Sequence, residues 1–190
     1  MIDTSLIENY ENRISFVKNS IAAVENFPKE GILFRDITTL LEDPKALKET
    51  IDLLYDVYRD SKIDYVVAAD ARGFIFGCVL AYKLGCGLVL VRKPGKLPRE
   101  TIREEYTLEY GSNSLEICKD SLKKDDKVLL LDDLLATGGT AGAMIKLVEK
   151  AGAKVESFAF IIELFDLGGA KLIKDKYNID CFSLVKFPGH

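Results

Sequence analysis

A chain of 190 residues with 26 Lys+Arg against 30 Asp+Glu, net charge −4, is sized for one domain that buries roughly 70% of its unfolded surface without a disulfide or metal staple. Its one histidine, His190, stands last in the sequence, a position loosely held in most folds, which sets aside Ser-His-Asp and Cys-His nucleophilic sites and His-rich zinc centres. The slightly acidic balance speaks against a dedicated nucleic-acid or membrane binder, so chemistry is left to carboxylates, backbone amides, Arg and Lys.

At the amino terminus, Met1-Ile2-Asp3-Thr4 lacks the basic and apolar regions of a signal peptide, and the chain is expected to be cytoplasmic. Ser5-Leu6-Ile7-Glu8 has capping-box form, and Leu6, Tyr10, Ile14, Val17, Ile21 and Val24 recur at helical steps, predicting an amphipathic helix that Phe27-Pro28 ends. Asp43-Pro44 opens a second helix, an N-cap followed by proline, running to about Asp60. Apolar runs at 65–69, 88–91, 128–131 and 155–162 then read as strands, with helices at about 73–84 and 140–151. Strands so continuously apolar are buried on both faces. The alternation predicts an α/β fold, a single domain over 1–190 with a mainly parallel central sheet flanked by helices. In such sheets ligands bind beyond the carboxyl ends of the strands.

Residues 73–91 hold Lys83 as their only charge and approach transmembrane length, but their four glycines favour a buried helix followed by a buried strand. Cys78, Cys86, Cys118 and Cys181 form no CxxC pair and read as buried free thiols of a reducing compartment. Residues 93–110 fit neither period and carry Lys93, Lys96, Arg99 and Arg103 between Pro94, Pro98 and Tyr110. An uncovered loop this long is either a functional lid or a solvated, partly extended flap.

The most informative stretch is Leu131-Asp132-Asp133-Leu134-Leu135-Ala136-Thr137-Gly138-Gly139-Thr140. A buried strand delivers two acids, then a small-residue loop, then a helix start. Gly138 and Gly139 can turn successive amides toward one point, while Thr137 and Thr140 add hydroxyls and the helix N-terminus adds partial positive charge. That combination holds a phosphate monoester without lysine, and the acids suit ribose hydroxyls. The plain alternative is a capping acid beside a tight turn. Neither GxxxxGK[ST] nor GxGxxG occurs, so the P-loop and dinucleotide fingerprints are absent.

This loop resembles the phosphoribosyl-pyrophosphate motif of the type I phosphoribosyltransferases, in the form found in the adenine phosphoribosyltransferases. Further stretches resemble the same family. Phe27-Pro28-Lys29-Glu30-Gly31-Ile32-Leu33-Phe34-Arg35-Asp36-Ile37 is similar to its amino-terminal base-binding segment, within residues 1–35 and just beyond. Asp70-Ala71-Arg72-Gly73-Phe74 is similar to its pyrophosphate loop, and Arg92-Lys93-Pro94-Gly95-Lys96-Leu97-Pro98 with Leu108-Glu109-Tyr110-Gly111 to its mobile flap, 93–110. Leu164-Phe165-Asp166-Leu167-Gly168-Gly169 and Phe187-Pro188-Gly189-His190 resemble the bacterial branch.

The resemblance implies transfer of ribose 5-phosphate from phosphoribosyl pyrophosphate to N9 of adenine, giving AMP and pyrophosphate in purine salvage. It implies that Ala136, Thr137, Gly138, Gly139 and Thr140 hold the 5-phosphate while Asp132 and Asp133 contact ribose. Asp70, Ala71 and Arg72 would hold pyrophosphate, with a non-proline cis peptide in that loop. Arg92 and Lys96, with Lys93 a weaker candidate, would reach pyrophosphate across the interface of a homodimer. Magnesium would arrive bound mainly to substrate oxygens and water. Glu109 is the candidate acid/base, with Tyr110 packing at the closed site and Glu104 and Glu105 as solvated neighbours. Adenine would be read by the main chain at Leu33 and Arg35 and sandwiched by Phe34 and Leu164. By residue type alone, Arg72 pairs equally well with a surface carboxylate, Leu33 and Phe34 read as core, and Glu109 as an exposed strand residue. Glu30 stands where many relatives have proline, and Glu163 places a charge just before Leu164. Two alternatives remain at this level: a phosphoribosyltransferase for hypoxanthine, guanine or xanthine, and a non-catalytic regulator that senses phosphoribosyl pyrophosphate.

Overall fold

The computed structural model describes residues 4–107 and 112–189. The first elements are α1 (Tyr10–Asn19), the short strands β1 (Ala22–Glu25) and β2 (Leu33–Asp36), then α2 (Thr38–Glu42) and α3 (Pro44–Tyr58). The central part runs β3 (Tyr65–Ala69), α4 (Arg72–Leu84), β4 (Gly87–Val91), β5 (Thr101–Thr107) and β6 (Ser112–Cys118). It is followed by β7 (Lys127–Leu135), α5 (Gly139–Lys150), β8 (Lys154–Leu164), α6 (Gly169–Tyr177) and β9 (Cys181–Phe187).

Five strands form one sheet in the order β4-β3-β7-β8-β9, every pair parallel. The alternation within each apolar run explains its two-sided burial. On β7, Leu129 and Leu131 face a cluster that includes Val17, Leu40, Leu54 and Phe76, so α1 to α4 cover that side. Val128 and Leu130 face the other side, where Met144, Ile145 and Val148 of α5, Ile173 of α6 and Ile117 of β6 pack. Each such fully buried side chain contributes roughly 1.5–3 kcal/mol relative to exposure, and the sheet is the surface on which both sums are collected. Asp43 caps α3 by accepting from the N–H groups of Lys45 (2.8 Å) and Ala46 (3.3 Å), as its place before Pro44 predicts. Residues 73–91 form a helix and then a strand, and among the described residues no helix is long and apolar enough to cross a membrane.

The structure corrects the sequence reading in several places. The amino-terminal helix is shorter than its periodicity implies: it starts at Tyr10, after the Ser5–Glu8 stretch, and stops at Asn19. Val24, read as its last apolar step, lies on β1 and is 40% exposed. A distant partner overrides the local period there, because β1 pairs antiparallel with β2 and Ala22 N–H donates to Thr39 Oγ1 at 3.0 Å. The irregular stretch 93–110 contains a strand, β5, paired antiparallel with β6. Its base is tied down by Glu116, whose carboxylate accepts from Gly95 N–H (3.1 Å) and from Arg103 (2.8 Å). Also missed are α2, α6 and β9, the last an alternating strand at the sheet edge. Of the thiols, none is disulfide-bonded, but only Cys118 is buried; Cys86 and Cys181 are half-buried and Cys78 is exposed.

Candidate active site

The sheet order places a topological switch between β3 and β7. From β3 the chain crosses to β4 on one side, while β7 lies on the other, so the loops leaving the two carboxyl ends diverge and open a crevice. Register brings the ends level: Ala68 pairs with Leu131, so Asp70-Ala71-Arg72 and Asp132-Asp133 emerge side by side. The Asp70–Ala71 peptide is cis, as the resemblance implied. A cleft of about 370 Å³ sits there, lined by Asp70, Ala71, Arg72, Lys93, Asp132, Asp133 and the whole loop Ala136, Thr137, Gly138, Gly139, Thr140.

Within the cleft the charges are interlocked. Arg72 Nε lies 2.7 Å from Asp133 Oδ2, so its partner is the acid of the neighbouring strand rather than a surface carboxylate. Asp133 N–H donates to Asp132 Oδ1 at 2.9 Å. Burial raises the Asp132 carboxyl above the usual carboxylate range, and the adjacent Asp133 raises it further. Burial also raises Asp133, while the Arg72 guanidinium works against that shift. Burial that favours the protonated form leaves each carboxyl able both to donate and to accept a hydrogen bond.

The loop beyond them has the features of an anion cradle. Gly138 is the N-cap of α5 at φ 89, a left-handed conformation that glycine adopts without strain, and no side chain caps this end. The first amides of a helix have no intrahelical acceptor, and together with the helix dipole they favour an anion at this point. Thr137 stands exposed beside them, and Thr140 Oγ1 donates to Tyr106 Oη at 3.4 Å.

The remaining sequence-predicted residues fall into three groups. Lys93 lines the cleft; Arg92 borders it, its Nε donating to Asp70 Oδ2 at 2.8 Å and its Nη1 to the Lys96 carbonyl at 3.2 Å, with the Lys96 side chain exposed. Leu33, Phe34 and Arg35 lie outside this cleft on β2, where Phe34 meets Phe27 edge-on (5.1 Å between centroids) and Arg35 stacks on Phe187 at 4.4 Å. Asp36, which follows them, is held below the usual carboxylate range by Thr38's N–H and hydroxyl, and the Arg72 guanidinium adds to that pull. Leu164, at the end of β8, packs against the core cluster on the same side of the sheet. Glu163 is turned to its register partner Lys186, 3.0 Å away, and Glu30 is exposed. Glu109 and Tyr110 lie outside the described residues.

The larger lining residues that escaped the sequence reading include Tyr106, Leu115 and Phe160. On β5 the signal was an alternation, Ile102, Glu104 and Tyr106 facing inward, with an acid at its centre. That acid is a second correction. Glu104, read as solvated, is 8% exposed and paired with Lys146 (2.7 Å) and Lys150 (2.5 Å) of α5; these bonds hold its carboxyl below the usual range. Glu105 is exposed as expected.

Comparison with known proteins agrees with this geometry. The family model of the phosphoribosyl transferase domain matches residues 36–189. The adenine phosphoribosyltransferase of Klebsiella pneumoniae (strain 342) is 56% identical over 178 residues, covering 94% of this chain and 97% of that protein. The crystal structure of the adenine phosphoribosyltransferase from Thermoanaerobacter pseudethanolicus aligns with a TM-score of 0.87 at 48% identity, covering 92% of this chain and 99% of that one. The Saccharomyces cerevisiae counterpart, crystallised with D-2,5-dideoxy-2,5-imino-altritol 1,6-bisphosphate and adenine, aligns with a TM-score of 0.85 at 38% identity, covering 92% and 99%.

Proposed function

The chain belongs to the phosphoribosyl transferase family, in its adenine-specific branch, and on that premise we propose how its residues divide the reaction. The activity is purine salvage: ribose 5-phosphate passes from phosphoribosyl pyrophosphate to N9 of adenine, giving AMP and pyrophosphate. Breaking the C1–O bond builds positive charge on the sugar and negative charge on the leaving group, and both must be met away from water.

The observation that carries the residue assignment is the cleft at the switch between β3 and β7, where an amide cradle and two interlocked acids adjoin. Ala136, Thr137, Gly138, Gly139 and Thr140 take the 5-phosphate through backbone amides and hydroxyls. Asp132 and Asp133 contact the ribose hydroxyls, with which buried carboxyls exchange hydrogen bonds. Arg72, with Asp70 and Ala71, takes the pyrophosphate, and Arg92 and Lys96, with Lys93 a weaker candidate, reach it across the proposed dimer interface. Magnesium suits these hard oxygen donors and would be held mainly by the oxygens of the phosphoribosyl pyrophosphate and by water, neutralising charge on the departing pyrophosphate. The main chain of Leu33 and Arg35 reads the 6-amino purine, with Phe34 and Leu164 on its faces. Glu109 serves as acid/base for the purine, and Tyr110 packs at the site when the flap closes.

Free thiols support a reducing, cytoplasmic setting. A homodimer is supported by α4, whose outer stripe exposes Ile75 (41%), Val79 (43%) and Tyr82 (85%) together.

Incubating the pure protein with phosphoribosyl pyrophosphate, magnesium and each nucleobase tests the substrate. AMP from adenine alone is expected; turnover of hypoxanthine, guanine or xanthine without adenine would overturn it. Glu109→Leu is expected to lower turnover by about two orders of magnitude while leaving donor binding intact, as read by steady-state kinetics and donor titration. Near-normal turnover would remove Glu109 from the chemistry.

A further inference from the structure

The cradle loop is supported from behind. Gly169, the first residue of α6, presses on it so closely that a methyl group there would overlap the Ala136 carbonyl oxygen, and would stand 2.8 Å from Leu135 Cδ1 and 3.1 Å from the Gly138 nitrogen. From the other side, a methyl on Gly138 would stand 3.3 Å from both the Cα and the carbonyl oxygen of Gly169. The nearest obstructing atom, the Ala136 carbonyl oxygen, is backbone, so it cannot turn aside as a flexible side chain could. Packed interiors respond to added volume by moving whole segments, and here the segment is the phosphate cradle.

The position of Gly169 is itself fixed. The turn Phe165–Leu167 leads into it, and Asp166 Oδ1 accepts the Gly189 N–H at 2.7 Å. A methyl on Gly189 would lie 2.9 Å from Leu167 Cγ, so the segment after β9 is seated directly on this turn. Ile173, one turn into α6, is fully buried in the second core cluster. The path from Gly189 through Asp166 and Leu167 to Gly169 ends on Ala136 and Gly138.

We propose that Gly169 is a positioning residue for the donor: its missing side chain sets the backbone of Ala136–Gly138 against α6, and the Asp166–Gly189 bond holds the turn from which it bears. The proposal rests on the reading that this loop binds the 5-phosphate. It explains why two stretches that line no part of the cleft, Phe165–Gly169 and Phe187–Gly189, accompany the cradle.

Gly169→Ala should raise the Michaelis constant for phosphoribosyl pyrophosphate and the inhibition constant of ribose 5-phosphate by at least about tenfold, because an ångström of misplacement weakens a phosphate site by that order or more. The Michaelis constant for adenine should stay within about twofold. Donor and ribose 5-phosphate constants unchanged in a folded Gly169→Ala protein, or a fall in turnover alone, would overturn the proposal. If that variant does not fold, Asp166→Ala decides, since it removes one exposed bond: a donor constant raised about threefold with adenine unmoved supports the brace, and no change overturns it. Thr137→Val, measured alongside, separates this from the reading beneath it. If Thr137→Val leaves donor binding unchanged, the cradle assignment itself fails; if it weakens binding while the brace variants do not, only the brace fails.

Discussion

At the scale of single residues, the unusual expense in this chain is the pair Asp132 and Asp133. Burying adjacent carboxyls near the carboxyl end of a central strand destabilises the ligand-free protein, with Arg72 and one backbone N–H as partial compensation. The sign of the pH effect follows. Asp132's folded value is raised, so above the ordinary carboxylate value the folded protein binds more protons than the unfolded chain. Its stability therefore falls as pH rises from about 4 toward neutrality. Asp132→Asn should flatten that decline and raise the ligand-free melting temperature near pH 7.5 by roughly 2–4 °C, the shift about 1 kcal/mol produces in a chain of this size. Melting curves across pH measure it, and a decline identical to that of the unaltered protein would locate the cost elsewhere. The same substitution weakens the proposed ribose contact, so stability and binding should move in opposite directions.

At the scale of elements, the β5–β6 hairpin is attached to the cradle helix by a charge pair inside an apolar contact. Ile102 and Tyr106 pack into the second core cluster while Glu104 between them reaches Lys146 and Lys150 on α5. The two lysine bonds depress the Glu104 carboxyl, so this attachment is complete above about pH 4.5 and is lost as pH falls through the depressed value. Glu104→Gln keeps the shape and removes the charge. It should speed amide exchange in Thr101–Thr107 about fivefold, the scale of a partly screened pair worth near 1 kcal/mol, and leave β3 and β7 unchanged. Hydrogen-exchange mass spectrometry resolves the two regions. Equal exchange in hairpin and sheet would show that the apolar contacts alone hold β5. Because Tyr106 meets Thr140 at the cradle, loosening β5 also loosens one wall of the cleft.

At the scale of the whole molecule, the parallel sheet does two things at once: its faces collect the apolar burial, and its switch point opens the cleft. Stability and site thus share β3 and β7. The outer stripe of α4 does neither, and its exposed apolar area is the surface for the proposed homodimer. Tyr82→Asp should shift the sedimentation of the protein toward the monomer; an unchanged dimer would put the interface on another face.

Much of this was legible from residues adjacent in the chain. The continuous apolar runs of β3, β7 and β8 specify buried parallel strands, Asp43-Pro44 specifies a helix start, and Asp132 to Thr140 mark the loop proposed as the phosphate cradle, because its candidate ligand groups are largely the backbone of one contiguous stretch. The rest depended on partners far apart in sequence. Val24 continues a helical period, yet β2 claims its strand through hydrogen bonds that no local pattern reports. Glu104 resembles any surface glutamate until α5 supplies two lysines. Arg72 acquires its partner only when β3 and β7 lie side by side. Gly169 is one small residue among many until α6 folds against Ala136. Local order and the make-up of the proposed cradle loop are properties of the chain itself, since short-range sterics and residue type set them. The depth of the cleft, the raised acids and the brace behind the loop arise only from packing, because burial and close approach are relations between segments that tertiary structure alone brings together.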